Sequence, residues 1–263
     1  MALILKYQNM KKFIITVILA ILPLSIYAQK ADKIFKEALI HLSNENYTKA
    51  IPLLEKCLQK EYYLDGDIFA YLYDAYNGIG KVETAQDFIR SGLEVFPNNR
   101  NIVLAMLDIF VDSSDYNNAL MLIDKAIQIE PKNVSLFYLK GCIYLELAEI
   151  DRGIELLKYC SVLDPKYTSG DIQIGNYYYD QILQKQEVLG GLDENNMSLW
   201  ESDVRNSCQF FEKAFKNEIE VGMKLSIAEY LCGLCPYMVY AGEKDYEEKL
   251  EFYENYRKSG GLW

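Results

Sequence analysis

Histidine is almost missing: the 263 residues contain one, His41. That removes zinc sites built from several histidines and most imidazole acid–base chemistry. Positive charge is also scarce, with 27 Lys and Arg against 38 Asp and Glu, a net charge of −11 and a pI near 4.8. Nucleic acid and anionic lipid both need a basic footprint, so neither is an expected partner. No apolar run reaches the ~20 residues of a membrane-spanning helix. No stretch alternates with period two for long enough to predict a sheet. What is present is globular in kind, 51% hydrophobic and 25% charged, which excludes wholesale disorder and a multi-span membrane protein.

The first 28 residues carry Lys6, Lys11 and Lys12 and no acid, followed by an apolar run of 16 residues from Phe13 to Ala28. A basic start, an apolar middle and a small residue at the end predict a Sec-type secretory signal, 1–28, cleaved to leave Gln29 as the new terminus. Met10 stands directly before Lys11 and Lys12, and a start there would make the signal more compact. The alternative is an uncleaved anchor, the one route by which this chain would meet a membrane. Cleavage leaves 24 basic and 38 acidic side chains, a charge of −14. The expected location is the periplasm or the cell envelope.

Beyond the signal the chain repeats itself every 34 residues. Pro97, Pro131 and Pro165 keep this step, as do Tyr76, Phe110, Tyr144 and Tyr178. So do Ala85, Ala119 and Gly153, and so do Ile89, Ile123 and Leu157. Several columns sharing one period identify a repeat architecture. Each repeat reads as two helices. Phe69, Leu72, Tyr73 and Tyr76 have offsets 0, 3, 4 and 7, one helical face; Val103, Met106, Leu107 and Phe110 repeat it. Ala85, Phe88, Ile89, Gly92 and Leu93 form the stripe of a second helix, where small residues allow close approach. Gly80 separates the two helices of its repeat, and Phe96-Pro97-Asn98-Asn99 and Glu130-Pro131-Lys132-Asn133 end second helices, because proline cannot extend the hydrogen-bond ladder.

In period, helix length and column residues the chain resembles the tetratricopeptide repeat family. Glu45 to Ile51 (ENYTKAI) and Ser114 to Leu120 (SDYNNAL) are similar to that family's turn and second-helix start. The resemblance covers four consecutive units, 31–64, 66–99, 100–133 and 134–167. A fifth unit, 168–221, keeps Gly175 and Tyr178 in register but needs an insertion near 187–199 before its second helix, and a capping pair follows at 222–258. Tyr246, Leu250 and Tyr253 are expected to face inward there, with Glu247, Glu248, Glu251 and Glu254 toward water. The implied fold is all-α: a right-handed α-solenoid of about five helix-turn-helix units plus a C-terminal capping pair, spanning 29–263.

The family is defined by packing residues, so the resemblance implies a protein- or peptide-binding scaffold rather than an enzyme. The implied groove is the face of each first helix not used in packing: Asp67, Asp74 and Asn77; Asp108 and Asp112; Tyr138 and Glu146; Asn176, Tyr179 and Asp180. Some family members clamp a C-terminal carboxylate with Lys and Asn; Asn176 matches one such place, without a Lys beside it. Six acids and two tyrosines predict a basic partner segment, extended or helical, bound with salt-sensitive affinity. Among chemistry-bearing motifs, Cys232-Gly233-Leu234-Cys235 is a CxxC pair, and an alternative function is thiol–disulfide exchange. Its surroundings read as the interior of a late helix rather than a strand-to-helix turn. A second alternative is a structural protein that self-associates. Cys57 and Cys160 fall at the same place in different units and read as packed thiols, and His41 falls in the Tyr76 column as a half-buried ring. Gly78-Ile79-Gly80-Lys81 lacks the first glycine and the strand of a phosphate loop. No catalytic residue, metal site, cofactor or small-molecule substrate is expected.

Overall fold

The structure, a computed structural model, describes residues 30–62 and 64–262. The signal-like segment therefore lies outside the described residues. Twelve α-helices and two short 3-10 turns make up the secondary structure among these residues, and no strand occurs. The chain divides into two compact units between Ile129 and Glu130. The period of 34 runs through this division unchanged, so the spacing alone predicts one uninterrupted series and gives no sign of it.

The first unit holds α1 (30–43), α2 (Tyr47–Gln59), α3 (Asp67–Gly78), α4 (Val82–Val95), α5 (Arg100–Asp112) and α6 (Tyr116–Ile129). Its core is formed by Leu54, Ile68, Leu72, Ile89 and Ile102, all fully buried. Leu72 and Ile89 belong to the stripes read from the repeat, and Leu54, Ile68 and Ile102 are buried in the same core; burying these side chains contributes roughly 1.5–3 kcal/mol each. Successive repeats are also tied by polar bonds. The Tyr76 hydroxyl donates to Glu55 Oε1 at 2.6 Å, while its ring stacks on Phe88.

The turn inside each helix pair is built the same way every time. Glu45, Gly80, Ser114 and Ala148 all have positive φ, between 55° and 77°. The backbone N–H of the next residue donates five positions back, to the carbonyl of His41, Tyr76, Phe110 or Tyr144, at 2.8–2.9 Å. This closes the last turn of the first helix in the left-handed manner of a C-terminal cap. Glycine adopts this conformation freely; three repeats accept it with a side chain, and the tight bond back to the aromatic column is what holds them there. Asn99 starts α5 by accepting from the Ile102 N–H at 2.9 Å, and Asn133 does the same for Ser135 at the start of α7.

The second unit holds α7 (Val134–Glu146), α8 (Ile150–Leu163), α9 (Ser169–Leu189), α10 (Glu201–Asn217), α11 (Val221–Tyr240) and α12 (Asp245–Lys258). Helices α7 and α8 approach backbone to backbone. A Cβ at Gly141 would stand 2.8 Å from Leu157 Cγ and 3.1 Å from the Gly153 carbonyl oxygen. Helices α9 and α10 run to 21 and 17 residues, longer than those of the first four repeats. Gly190, at φ +70°, ends α9, and the connection closes with Trp200, whose fully buried ring donates from Nε1 to Asn196 Oδ1 at 2.7 Å. Helices α9 and α10 are pinned by Lys213 to buried Asp171 at 2.8 Å, by Lys185 to Asp203, and by the Ser207 hydroxyl donating to the Gly175 carbonyl. Tyr246, Tyr253 and Tyr256 turn α12 into this core, with Glu247, Glu248 and Glu251 exposed.

Candidate functional site

In the first unit, the acids of α3 and α5 gather around one phenol. Tyr73, half-buried, feels the negative fields of Asp108, Asp112 and Asp74, and Asn77 lies within hydrogen-bonding reach of its hydroxyl. Burial pushes the Tyr73 phenol up. Asp74 is raised from the ordinary carboxylate range by desolvation alone, and Asp108 by desolvation and then by the neighbouring Asp112. Both keep more than a third of their surface exposed. Among the described residues no cation contributes to either shift, and no ion pair forms at Asp74, Asp108 or Asp112. A partly desolvated carboxylate without a counter-charge is electrostatically unfinished.

Asp67 departs from the expected set. It lies three residues before the position that continues the groove stripe, in the first turn of α3. Its Oδ1 accepts from Asn99 Nδ2 at 2.8 Å and from Asn101 Nδ2 at 3.0 Å. Through Oδ1 the carboxylate ties α3 to the start of the next repeat.

Beside Asp74 opens a cavity of about 640 Å³ between α1, α2 and α3. Leu39, Leu42 and Ser43 contribute from α1, Tyr47 from α2, and Tyr71, Asp74, Asn77 and Gly78 from α3. The sequence stripe reached Asp74 and Asn77 but missed the others. Tyr71 was findable, since it stands four residues after Asp67 and three before Asp74; the α1 contribution was not, because it depends on packing.

The second unit presents a different surface. Tyr138 is half-buried, its ring edge lies against Tyr167 at 5.8 Å, and its hydroxyl hydrogen-bonds the Cys142 sulfur. Burial raises it strongly, and much of the side chain serves packing. Glu146 is exposed. Asn176 Oδ1 is shielded from solvent and receives no hydrogen bond. Tyr179 meets the Tyr230 ring edge-on at 5.0 Å, and Asp180 stands exposed beside it. The ten residues named from sequence thus fall into two sets, one in each unit.

The CxxC pair lies within α11, with Cys232 half-buried and Cys235 fully buried. Both thiols are free and both are raised, Cys235 to about 12, by burial. Arg257 lowers Cys232 too little to reverse this. Reactive thiols are lowered by positive surroundings at helix starts, the opposite of this environment. Cys57 and Cys160 are buried as packed thiols, each pointing to a carbonyl 26 residues earlier, of Ala31 and Val134. His41 is half-buried. Among the described residues no group of side chains is arranged to hold a metal ion, and no helix is long and apolar enough to cross a membrane.

Helix pairs at a 34-residue period, closed by a left-handed turn and packed through small-residue columns, define the tetratricopeptide repeat fold. No protein-family model matches this chain, and no curated protein does. Solved structures with this fold are similar to it. MamA from Desulfovibrio magneticus RS-1 aligns over 72% of this chain and 94% of its own, with a TM-score of 0.55 and 16% identity. PilF of Pseudomonas aeruginosa aligns over 86% of this chain and 90% of its own, with a TM-score of 0.57 and 15% identity. Both are tetratricopeptide repeat proteins. At such identities the likeness establishes the fold and no shared partner.

Proposed function

We propose that this chain is an exported, non-enzymatic scaffold of the cell envelope that binds a basic protein segment on the exposed face of α3 and α5. The observation that carries this reading is the set of three carboxylates, Asp74, Asp108 and Asp112, around Tyr73, raised where a shift is resolved and met by no cation. A cationic partner supplies the missing counter-charge. Each exposed pair contributes only about 0–1 kcal/mol, so the field of the three must act together. Asn176, Tyr179 and Asp180 extend the reading to the second unit. Export rests on the sequence of 1–28. The raised, buried thiols speak for a scaffold over thiol exchange.

The test begins with a partner recovered from envelope extract on the immobilised chain and purified. Its affinity should fall as salt rises from low to physiological strength. Asp108→Asn with Asp112→Asn should weaken it further, mainly through a slower on-rate. Indifference to both salt and these substitutions would move the site to another face or to the insertion near 187–199.

A further inference from the structure

The cavity between α1, α2 and α3 has a more specific chemistry than the acidic face it adjoins. Its one carboxylate, Asp74, shares a mainly apolar and aromatic lining with two neutral polar side chains, Ser43 and Asn77. Leu39 and Leu42 offer aliphatic wall, and Tyr47 and Tyr71 offer rings. The Tyr47 ring is laid directly against the α3 backbone, because residue 78 is glycine: a Cβ there would stand 2.3 Å from Tyr47 Cε2. Any larger residue would push the ring out of its seat and change the cavity. Tyr71 is held by Phe35, with ring centroids 5.6 Å apart. The lining is therefore built by packing, and is not a chance gap between mobile side chains. Within it the Ser43 hydroxyl already donates to the Ile40 carbonyl at 3.0 Å, which leaves its oxygen as an acceptor. Asn77 adds an amide with both a donor and an acceptor, so the cavity offers hydrogen-bond acceptors, one formal negative charge at Asp74, and walls of carbon.

We propose that this cavity receives an arginine of the bound segment, its guanidinium against Asp74 and its aliphatic stem against Leu39 and Leu42. The assignment rests on the reading of the chain as a scaffold for a basic segment, and names the side chain that the segment presents. Arginine fits better than lysine for physical reasons. Its planar fork matches a carboxylate with two parallel bonds and lies flat on aromatic rings. It is also more weakly hydrated, so it loses less on leaving water. Lysine's compact, strongly hydrated ammonium gains less from the ring faces, because it must shed more tightly held water to reach them. At about 640 Å³ the cavity has room for the residues flanking the arginine as well.

The probe is the capped tripeptide Ac-Ala-Arg-Ala-NH2, titrated into the isotope-labelled full chain while amide shifts are followed by NMR. Saturating shifts are expected at Ser43, Tyr47, Tyr71, Asp74 and Gly78. Replacing the arginine with citrulline, which keeps the shape and removes the charge, should weaken binding at least tenfold. Asp74→Asn should do the same while leaving the remaining spectrum unchanged, and Asp74→Glu should recover part of the loss. The citrulline comparison needs no variant, so it stands even if Asp74→Asn perturbs folding. Absent shifts at these five positions, equal binding of citrulline, or a lysine peptide binding as tightly as arginine would each overturn the assignment. If the pocket fails while the natural partner still responds to Asp108→Asn and Asp112→Asn, the scaffold reading survives without it. If the partner ignores those substitutions and salt, but the arginine probe shifts the five amides, the pocket stands and the wider acidic face does not.

Discussion

Residue by residue, the acids of the first unit behave as binding groups do, at some cost to the fold. Asp74 and Asp108 have folded-state pKa values above their unfolded ones. The stability such groups contribute is complete below the unfolded carboxylate range and is lost as pH rises through the raised folded value. At neutral pH their ionised forms therefore oppose folding. Asp108→Asn should leave the neutral-pH melting temperature unchanged or slightly higher, and the difference from the parent should close as pH falls toward 4. Exposure limits the effect to about 0.5 kcal/mol. A clear fall in melting temperature would mean that Asp108 has a stabilising partner. The thiols make the opposite case. With Cys235 raised to about 12, on the order of one side chain in ten thousand is thiolate at pH 8. An aromatic disulfide reagent should therefore label it slowly in the native chain and quickly after denaturation. The Cys232→Ser, Cys235→Ser variant should keep partner binding. Fast native labelling of Cys235, or binding lost with the fold intact, would restore the thiol-exchange reading.

At the scale of the helix, the glycines at contacts decide more than the aromatic columns do. Helices α7 and α8 share the pair Gly141 and Gly153, and a Cβ on either would lie within 3.1 Å of the other's carbonyl oxygen. Gly141→Leu must separate the helices or bend both, because the atoms in the way include backbone. Overpacking of this kind costs roughly 1–3 kcal/mol or more, and a fall of several degrees in melting temperature is the expected result. An unchanged value would show that the two helices do not meet at Gly141. The lengthened α9 and α10 are held by a different device. The ion pairs of Lys213 with Asp171 and of Lys185 with Asp203, and the Ser207 hydroxyl, join them across the lengthened stretch. Asp171 is almost completely buried, and its burial raises it more than Lys213 lowers it. Breaking such a pair from one side leaves a charge without compensation, the costly way to lose it.

For the molecule as a whole, the proposed export would change the charge. Residues 1–28 hold three of the 27 basic side chains and none of the acids, so cleavage makes the chain more acidic, from −11 to −14. A more negative chain strengthens long-range attraction of a basic partner and keeps the free protein soluble. Intact-mass measurement on the exported protein should place its first residue at or near Gln29. A mass that retains 1–28 would replace the cleaved signal with an anchor. The two compact units carry separate sets of groove residues, and the arginine pocket belongs to the first. The second offers Asn176, with its shielded and undonated oxygen, beside Tyr179 and Asp180.

The repeat architecture was legible in the sequence because it depends on local periodicity. The steps from Pro97 to Pro165 and from Ala85 to Gly153 record where helices end and where they must pack closely, and each column is a constraint on its own. Asp74, Asn77, Asp108 and Asp112 were legible for the same reason, as positions left over once the packing stripe is assigned. The left-handed turn was legible only at Gly80; at Glu45, Ser114 and Ala148 the backbone takes the same form, closed by the same local bond to the carbonyl five residues before the next residue, and no residue type announces it. Two things were decided by tertiary structure alone. Asp67 is taken up by Asn99 and Asn101, because side chains about 34 residues apart become neighbours only when repeats stack. The cavity at Asp74 exists because α1, α2 and α3 converge there around a tyrosine seated on Gly78. A period locates faces; the space between faces depends on which side chains fill it, and that is a property of packing in three dimensions.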